Sequence, residues 1–301
     1  MKKGPDTPKG FRDIKPDEAK KRREVINKIC TTLEQYDFLP IETPTIEFAT
    51  TLKGKYGEEE KLIYEFKDRG DRDLALRYDL TVPLARYIAN NLGVLNPSFA
   101  RYQVGQVYRG EKPQAGRYRE FTQLDFDIVG STNPEDDAKV IAAAIDSVKK
   151  TGLKKAKMAI NDRKNFSQLS SDFVRTLDKI YKIGKEGVKN ELKEKNFPEA
   201  EIKLVDEIQN LKPTPSLAEI FKILTKKHLF FEGVDFYYDP YLARGLDYYT
   251  DTIYELKPGG EPKELSIGGG GRYNNLIGIF AGRDIPAVGF SFGIDRLVEL
   301  I

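Results

Sequence analysis

Between Arg101 and Gly130 the chain reads RYQVGQVYRGEKPQAGRYREFTQLDFDIVG, two strand-like runs joined by a segment rich in turn formers and cations. Side chains alternate across a strand with period two, so the second run sets Leu124, Phe126 and Ile128 on one face. Phe121, Gln123, Asp125 and Asp127 fall on the other. The first run likewise groups Arg101, Gln103, Val107 and Arg109. One face packs and the other carries polar chemistry, and a basic link from Gly110 to Tyr118 over a polar sheet suits a nucleotide. A solvated antiparallel hairpin has the same pattern, since such sheets often wet one face. The rest of the chain decides between the two.

Composition sets limits more than it identifies. At 301 residues the chain can bury a sizeable core, as one large domain with an insertion or as two domains. Forty-nine Lys and Arg against 47 Asp and Glu leave a net charge of +2, so any RNA contact must be regional. The single cysteine, Cys30, lies on an apolar helical stripe with Val25, Ile26, Ile29 and Leu33 and reads as a core packer rather than a metal ligand. The single histidine, His228, ends an expected helix beside Lys226 and Lys227 and reads as structural. No apolar run is long enough to span a bilayer and no signal core opens the chain, so the expectation is a cytoplasmic protein.

Along the chain, Asp17 to Tyr36 has helical spacing with acidic residues in its first turn. Tyr36 to Pro44 reads as a short edge strand ending at a proline, Ile63 to Tyr78 as a hairpin turning at Arg69-Gly70-Asp71, and Leu80 to Leu92 as a helix. Asn133-Pro134-Glu135 is a cap, a first-position proline and an acid, opening a helix to about Lys150. From about residue 152 to residue 232 Lys and Glu become dense, and Phe173, Val174, Leu177, Ile180 and Tyr181 recur at helical spacing, the mark of an inserted helical module. Beyond it, Gly233 to Leu256 regains strand character. SIGGGGRYNNLI (266–277) reads as a strand end, four glycines and a helix start, and PAVGFSFG then runs into the helix IDRLVELI. The four glycines lack the GK[ST] ending of a P-loop and have no Rossmann spacing.

Taken together, GRYREF with Gln123 and Asp127, LRYDLTVP (76–83), RGLDYYT (244–250), GGGRY and GFSFGIDRL resemble the motifs of class II aminoacyl-tRNA synthetases, and specifically those of histidyl-tRNA synthetases. The resemblance spans about residues 8 to 301. It implies an α+β fold: a class II core, mainly antiparallel sheet flanked by helices, over residues 1–301 and interrupted by the 152–232 module, which would face the tRNA acceptor end. By the same resemblance the chain activates L-histidine with ATP and Mg²⁺ and transfers it to tRNA(His), as a homodimer joined near Tyr36 to Pro44. The family's C-terminal anticodon-binding domain is absent from the sequence, so a catalytic fragment impaired in tRNA charging is expected.

Roles follow residue by residue from the resemblance. Arg109 and Arg244 are the expected catalytic cations at the α-phosphate, Arg244 also meeting the substrate carboxylate. Arg's planar, permanently charged fork suits two oxygens at once. Asp79, Thr81 and Gln123 would hold the ammonium end of histidine, Asp127 and Tyr249 its imidazole, and Tyr248 would line the pocket. A site of buried polar groups rejects analogues that cannot pair them, on the order of 10⁴-fold. For ATP, Arg117 would meet the outer phosphates, Phe121 would stack on adenine, and Arg296 would clamp the γ-phosphate. No Mg²⁺ ligand is named by the pattern.

Two other classes compete. A histidine-sensing regulatory subunit of ATP phosphoribosyltransferase, or a pseudo-synthetase module in an interaction protein, would be expected to have eroded catalytic arginines. Arg109, Arg244 and Arg296 are intact.

Overall fold

The computed structural model describes residues 5–93, 95, 98–114, 116–244 and 248–301. Helix α1 (Pro16–Gln35) leads to β1 (Leu39–Pro40), β2 (Ile46–Phe48) and the single turn α2 (Ala49–Leu52), then β3 (Glu65–Lys67), β4 (Asp73–Leu76) and α3 (Thr81–Asn90). The long strands β5 (Phe99–Tyr108) and β6 (Glu120–Val129) follow, then α4 (Pro134–Thr151) and β7 (Lys157–Asp162). Four helices come next: α5 (Ser171–Leu177), α6 (Ile180–Glu194), α7 (Glu199–Glu207) and α8 (Pro215–Lys226). The chain closes with β8 (Phe236–Tyr238), β9 (Thr252–Lys257), β10 (Gly268–Tyr273), α9 (Gly278–Ala281), β11 (Ala287–Gly293) and α10 (Ile294–Leu300).

Eight strands form one sheet in the order β1-β5-β6-β11-β10-β9-β7-β8, antiparallel from β5 to β7 with a parallel strand at each edge. A second, three-stranded antiparallel sheet has the order β2-β4-β3. This is the expected α+β architecture. The hairpin over 63–78 is realised as β3 and β4, and Asn133 caps α4 by accepting a bond from the Glu135 amide at 3.0 Å.

One face of the large sheet is apolar and carries α1, α4 and α8. Phe126 is fully buried there among Phe38, Phe290 and Phe292, with ring centroids 5.2, 5.7 and 6.1 Å away. Burying each such ring stabilises the fold by about 1.5–3 kcal/mol. Cys30 packs at the edge of this core, and burial pushes its thiol up to about 11. His228 stacks on Tyr36 at 6.2 Å, just beyond the end of α8.

Three expectations change. Of Tyr36 to Pro44 only Leu39–Pro40 is strand, in parallel with β5, and the Ile41 amide just beyond it donates to the Tyr102 carbonyl at 2.9 Å. The four glycines are not a loop after a strand: Gly268–Gly271 lie in β10, paired on both sides. The 152–232 stretch is not all inserted helix, since β7 within it belongs to the large sheet and Leu217, Ile220, Phe221 and Leu224 of α8 pack into the main core. A separate apolar cluster joins side chains between Phe166 and Leu211 with Tyr241 and Ala243, so residues 163–211 are the helical part, packed around a second core. No helix among the described residues is long and apolar enough to cross a membrane.

Candidate active site

The second face of the large sheet is polar, and strand register arranges its side chains in rows. Arg101, Asp127, Gly289 and Gly271 stand side by side on β5, β6, β11 and β10. The neighbouring row is Gln103, Asp125, Ser291, Gly269 and, on β9, Glu255. Each row is charged or amide on β5 and β6 and falls to small residues on β11 and β10, which makes a trough. The glycines are required by what lies over them: a Cβ on Gly271 would stand 2.7 Å from the ring of Tyr249, and one on Gly269 2.8 Å from Arg244 Nη1. Real Cβ atoms do not come so close without displacing something.

Over this floor lies a cavity of about 460 Å³. All of the residues expected from the sequence border it: Arg109 and Arg244; Asp79, Thr81, Gln123, Asp127, Tyr248 and Tyr249; Arg117, Phe121 and Arg296. The motif residues Gly245, Leu246 and Asp247 lie outside the described residues.

Asp127 is buried and already engaged. Arg101 Nη2 is 2.6 Å from its Oδ2, and Tyr273 donates its hydroxyl to Oδ1 at 2.5 Å. The Arg101 contact is close without the geometry of a hydrogen bond, which leaves Asp127 Oδ2 an available acceptor. Beside the pair, Asp125 is pushed up to about 7 by burial, with Arg101 pulling the other way. Gln123 Oε1, Asp125 Oδ1 and Arg244 Nε are buried with no hydrogen-bond partner. Buried polar atoms are seldom left so, and a polar ligand in the cavity would satisfy them.

At the other wall, Asp79 precedes α3 and accepts bonds from the Val82 amide at 3.0 Å and the Tyr56 hydroxyl at 2.9 Å. Burial raises this carboxyl, and those two donors offset part of the rise. It therefore serves as a cap, as such residues commonly do, while also bordering the cavity. Arg109, one residue past β5, donates Nε–H to the Tyr78 carbonyl at 3.2 Å. Its guanidinium lies 4.4 Å from the centroid of Tyr78 and 5.1 Å from that of Phe121, so two rings hold the cation in place.

Arg244 sits in the left-handed backbone region at φ 36°, a conformation a non-glycine residue adopts only when its surroundings dictate it. It donates Nη1–H to Glu255 Oε1 at 2.7 Å. Burial alone would raise the Glu255 carboxyl, but Arg244 and Lys257 together hold it below the usual range. Arg296 donates to the Ser266 carbonyl at 2.5 Å. Its neighbour Asp295 is fixed by Arg12 at 2.6 Å, Arg22 at 2.7 Å and the Thr122 amide at 2.8 Å, which anchors α10 to β6. Arg117 is half-exposed on the β5–β6 link, and its charge is the second cause, after burial, that disfavours the Arg296 cation.

Several lining residues escape the sequence reading. Glu255 could have been found by applying period two to Thr252–Lys257. Tyr273 lies in the quoted GGGRY but two positions beyond the glycines, on the same face as Gly271. Tyr56, Glu59 and Asp178 come from turns and helix ends with no period to flag them.

Comparison with known proteins agrees with this geometry. The family model described as histidyl-tRNA synthetase matches residues 10–211 and 188–297. The histidine–tRNA ligase of Aeropyrum pernix is 41% identical over 98% of this chain and 74% of its own length. The crystal structure of histidyl-tRNA synthetase from Nostoc superposes with a TM-score of 0.80 at 30% identity, covering 99% of this chain and 75% of that one. A Bacillus halodurans structure titled as an ATP phosphoribosyltransferase regulatory subunit/histidyl-tRNA synthetase also reaches 0.80, at 23% identity over 98% of this chain and 83% of its own, and shares the fold. On these matches the chain belongs to the histidyl-tRNA synthetase family, ligases of the class II aminoacyl-tRNA synthetase fold.

Proposed function

We propose that this chain joins L-histidine to ATP as histidyl-adenylate, releasing pyrophosphate, and then passes the histidyl group to the 3′ end of tRNA(His). The observation that carries this reading is the convergence of Arg109, Arg117, Arg244 and Arg296 on one cavity with a polar, glycine-lined floor. In this reading the histidine carboxylate attacks the α-phosphorus. The nucleophile is already an anion, so the protein's task is to position it and to neutralise charge rather than to supply a strong base. Arg109 and Arg244 flank the α-phosphate and the carboxylate, Arg296 and Arg117 take the outer phosphates, and Phe121 stacks on adenine.

Asp79, Thr81 and Gln123 take the ammonium end of histidine. Asp127 and Tyr249 take the imidazole, with Tyr248 beside them. Because Arg101 already balances the Asp127 charge and Tyr273 donates to it, this end of the pocket suits a neutral imidazole rather than an imidazolium. Mg²⁺, when bound with the nucleotide, supplies further neutralisation of phosphate oxygens. No group of three or more metal-ligating side chains occurs among the described residues, so in this reading the ion enters with ATP. A homodimer through the segment Tyr36 to Pro44 is part of the same reading, supported by the exposure of Leu39 on the edge strand β1. So is a cytoplasmic site of action.

The test is histidine-dependent ATP–pyrophosphate exchange on this chain with Arg244→Ala as control, followed by tRNA charging on the same preparation. Exchange that is lost in the variant supports the reading. Histidine binding without exchange would overturn it in favour of a histidine-sensing paralogue, the class whose fold the Bacillus halodurans likeness also fits.

A further inference from the structure

The backbone that carries Arg244 is held from the helical module as much as from the sheet. Asp239 opens the approach to it: its amide donates to the Ile160 carbonyl of β7 at 3.0 Å, and its Oδ1 accepts both the Tyr241 amide at 3.0 Å and the Tyr181 hydroxyl of α6 at 2.6 Å. Asn161, at the end of β7, donates to the carbonyls of Pro240 and Leu242 at 3.2 and 3.0 Å. Tyr241 and Ala243 pack in the apolar cluster of the module, with Phe173 and Val188. Arg163, in the turn that opens the module, donates to the Arg244 carbonyl at 3.2 Å. The guanidinium is fixed on the opposite side by Glu255.

From this arrangement we infer that Tyr181 is a positioning residue for adenylation. Its hydroxyl, through Asp239, ties α6 to the loop that sets Arg244 in its left-handed conformation over Gly269. Tyr181 borders neither the cavity nor any reacting group, and it acts only through Arg244. The module thereby does more than offer a surface: it holds the backbone of the cation that stabilises the transferring phosphate. This rests on the role proposed above for Arg244.

The experiment is a double-mutant cycle on the full chain. Tyr181→Phe keeps the ring in the module core and removes one donor, so the fold is retained. Exchange kinetics and thermal unfolding are measured for the native chain, Tyr181→Phe, Arg244→Lys and the double variant. The expected result is a kcat about tenfold lower for Tyr181→Phe, with KM for histidine within about twofold, and less than a twofold further loss when the change is made on Arg244→Lys. Asp239→Asn, which keeps the accepting oxygen, retains most of the rate, whereas Asp239→Ala behaves like Tyr181→Phe. An equal penalty in both Arg244 backgrounds, or none in either, overturns the inference. A native chain whose exchange is insensitive to Arg244→Lys would instead refute the role of Arg244 itself, and the Tyr181 inference with it.

Discussion

Gly289 on β11 lies directly opposite Asp127 on β6, and a Cβ added there would stand 1.8 Å from the Asp127 Oδ1. That oxygen accepts the Tyr273 hydroxyl, and the other faces Arg101, so the missing side chain makes room for a buried three-residue polar group. Glycine is used here for close approach and not for turning: the residue sits in the middle of a paired strand.

Gly289→Ala should therefore fail at the site before it fails as a fold. Overpacking of this kind typically costs about 1–3 kcal/mol, which a domain of this size tolerates, but the displaced carboxylate loses its place in the pocket. Calorimetric titration with histidine is expected to show binding weakened at least tenfold while urea unfolding stays cooperative. Native affinity in the variant would mean that the Asp127 carboxylate does not touch the substrate.

Arg101 is fully buried and faces two carboxylates, Asp125 and Asp127. Removing one partner of a buried pair leaves the other uncompensated, a loss of about 3–5 kcal/mol. Arg101→Met, which keeps most of the aliphatic length, is expected to lower stability in urea unfolding by that amount at pH 8. Replacing Arg101 and Asp127 together by Met and Asn should recover part of it, and failure to recover would show that the two charges are not coupled.

The mouth of the cavity holds two like charges, Arg117 and Arg296, and after burial the Arg117 charge is what disfavours the Arg296 cation. Arg296 is partly buried and bonded to the Ser266 carbonyl, whereas Arg117 is half-exposed. Loss of a charge-assisted contact costs about 1.5–3 kcal/mol, so Arg296→Ala should raise KM for ATP by about 10- to 150-fold. The exposed Arg117→Ala should cost under about 1 kcal/mol, or fivefold. KM for histidine should stay unchanged in both, which initial-rate exchange assays read directly. A rise in the histidine KM would remove Arg296 from the nucleotide end.

How much of this was legible in the sequence depends on whether a residue sat in a periodic context. Alternation in Phe121–Ile128 separated Gln123, Asp125 and Asp127 from the core side chains, because a strand with both faces covered must sort them strictly. The donation of Tyr273 to Asp127 and the need for glycine at 289 join residues more than a hundred positions apart, while glycine at 269 and 271 is required by Arg244 and Tyr249 lying over the strand. Asp239 and Tyr181 meet across the boundary between two cores, where no local pattern points from one to the other. The limits of the helical module are hidden for a related reason: α8 carries lysines as α6 does, and only its apolar face, Leu217, Ile220, Phe221 and Leu224, assigns it to the main core.

Asp125 gives the pH dependence. Its carboxyl titrates near 3.8 in an unfolded chain and at about 7 in the folded one, raised by burial. The folded state therefore binds the extra proton between those values. The contribution is a stability fully present below about pH 4 and lost as pH rises through about 7, at up to about 1.4 kcal/mol per unit. Asp125→Asn is neutral throughout and cannot lose it. Urea midpoints of the two proteins should accordingly converge toward pH 4 and separate by pH 8, the variant being the more stable, with no further separation above that. Parallel curves across this range would show that Arg101 keeps Asp125 ionised, and would shift the site's acid-side sensitivity from this residue to Asp79 and Asp127, buried carboxyls of the same cavity that are also raised.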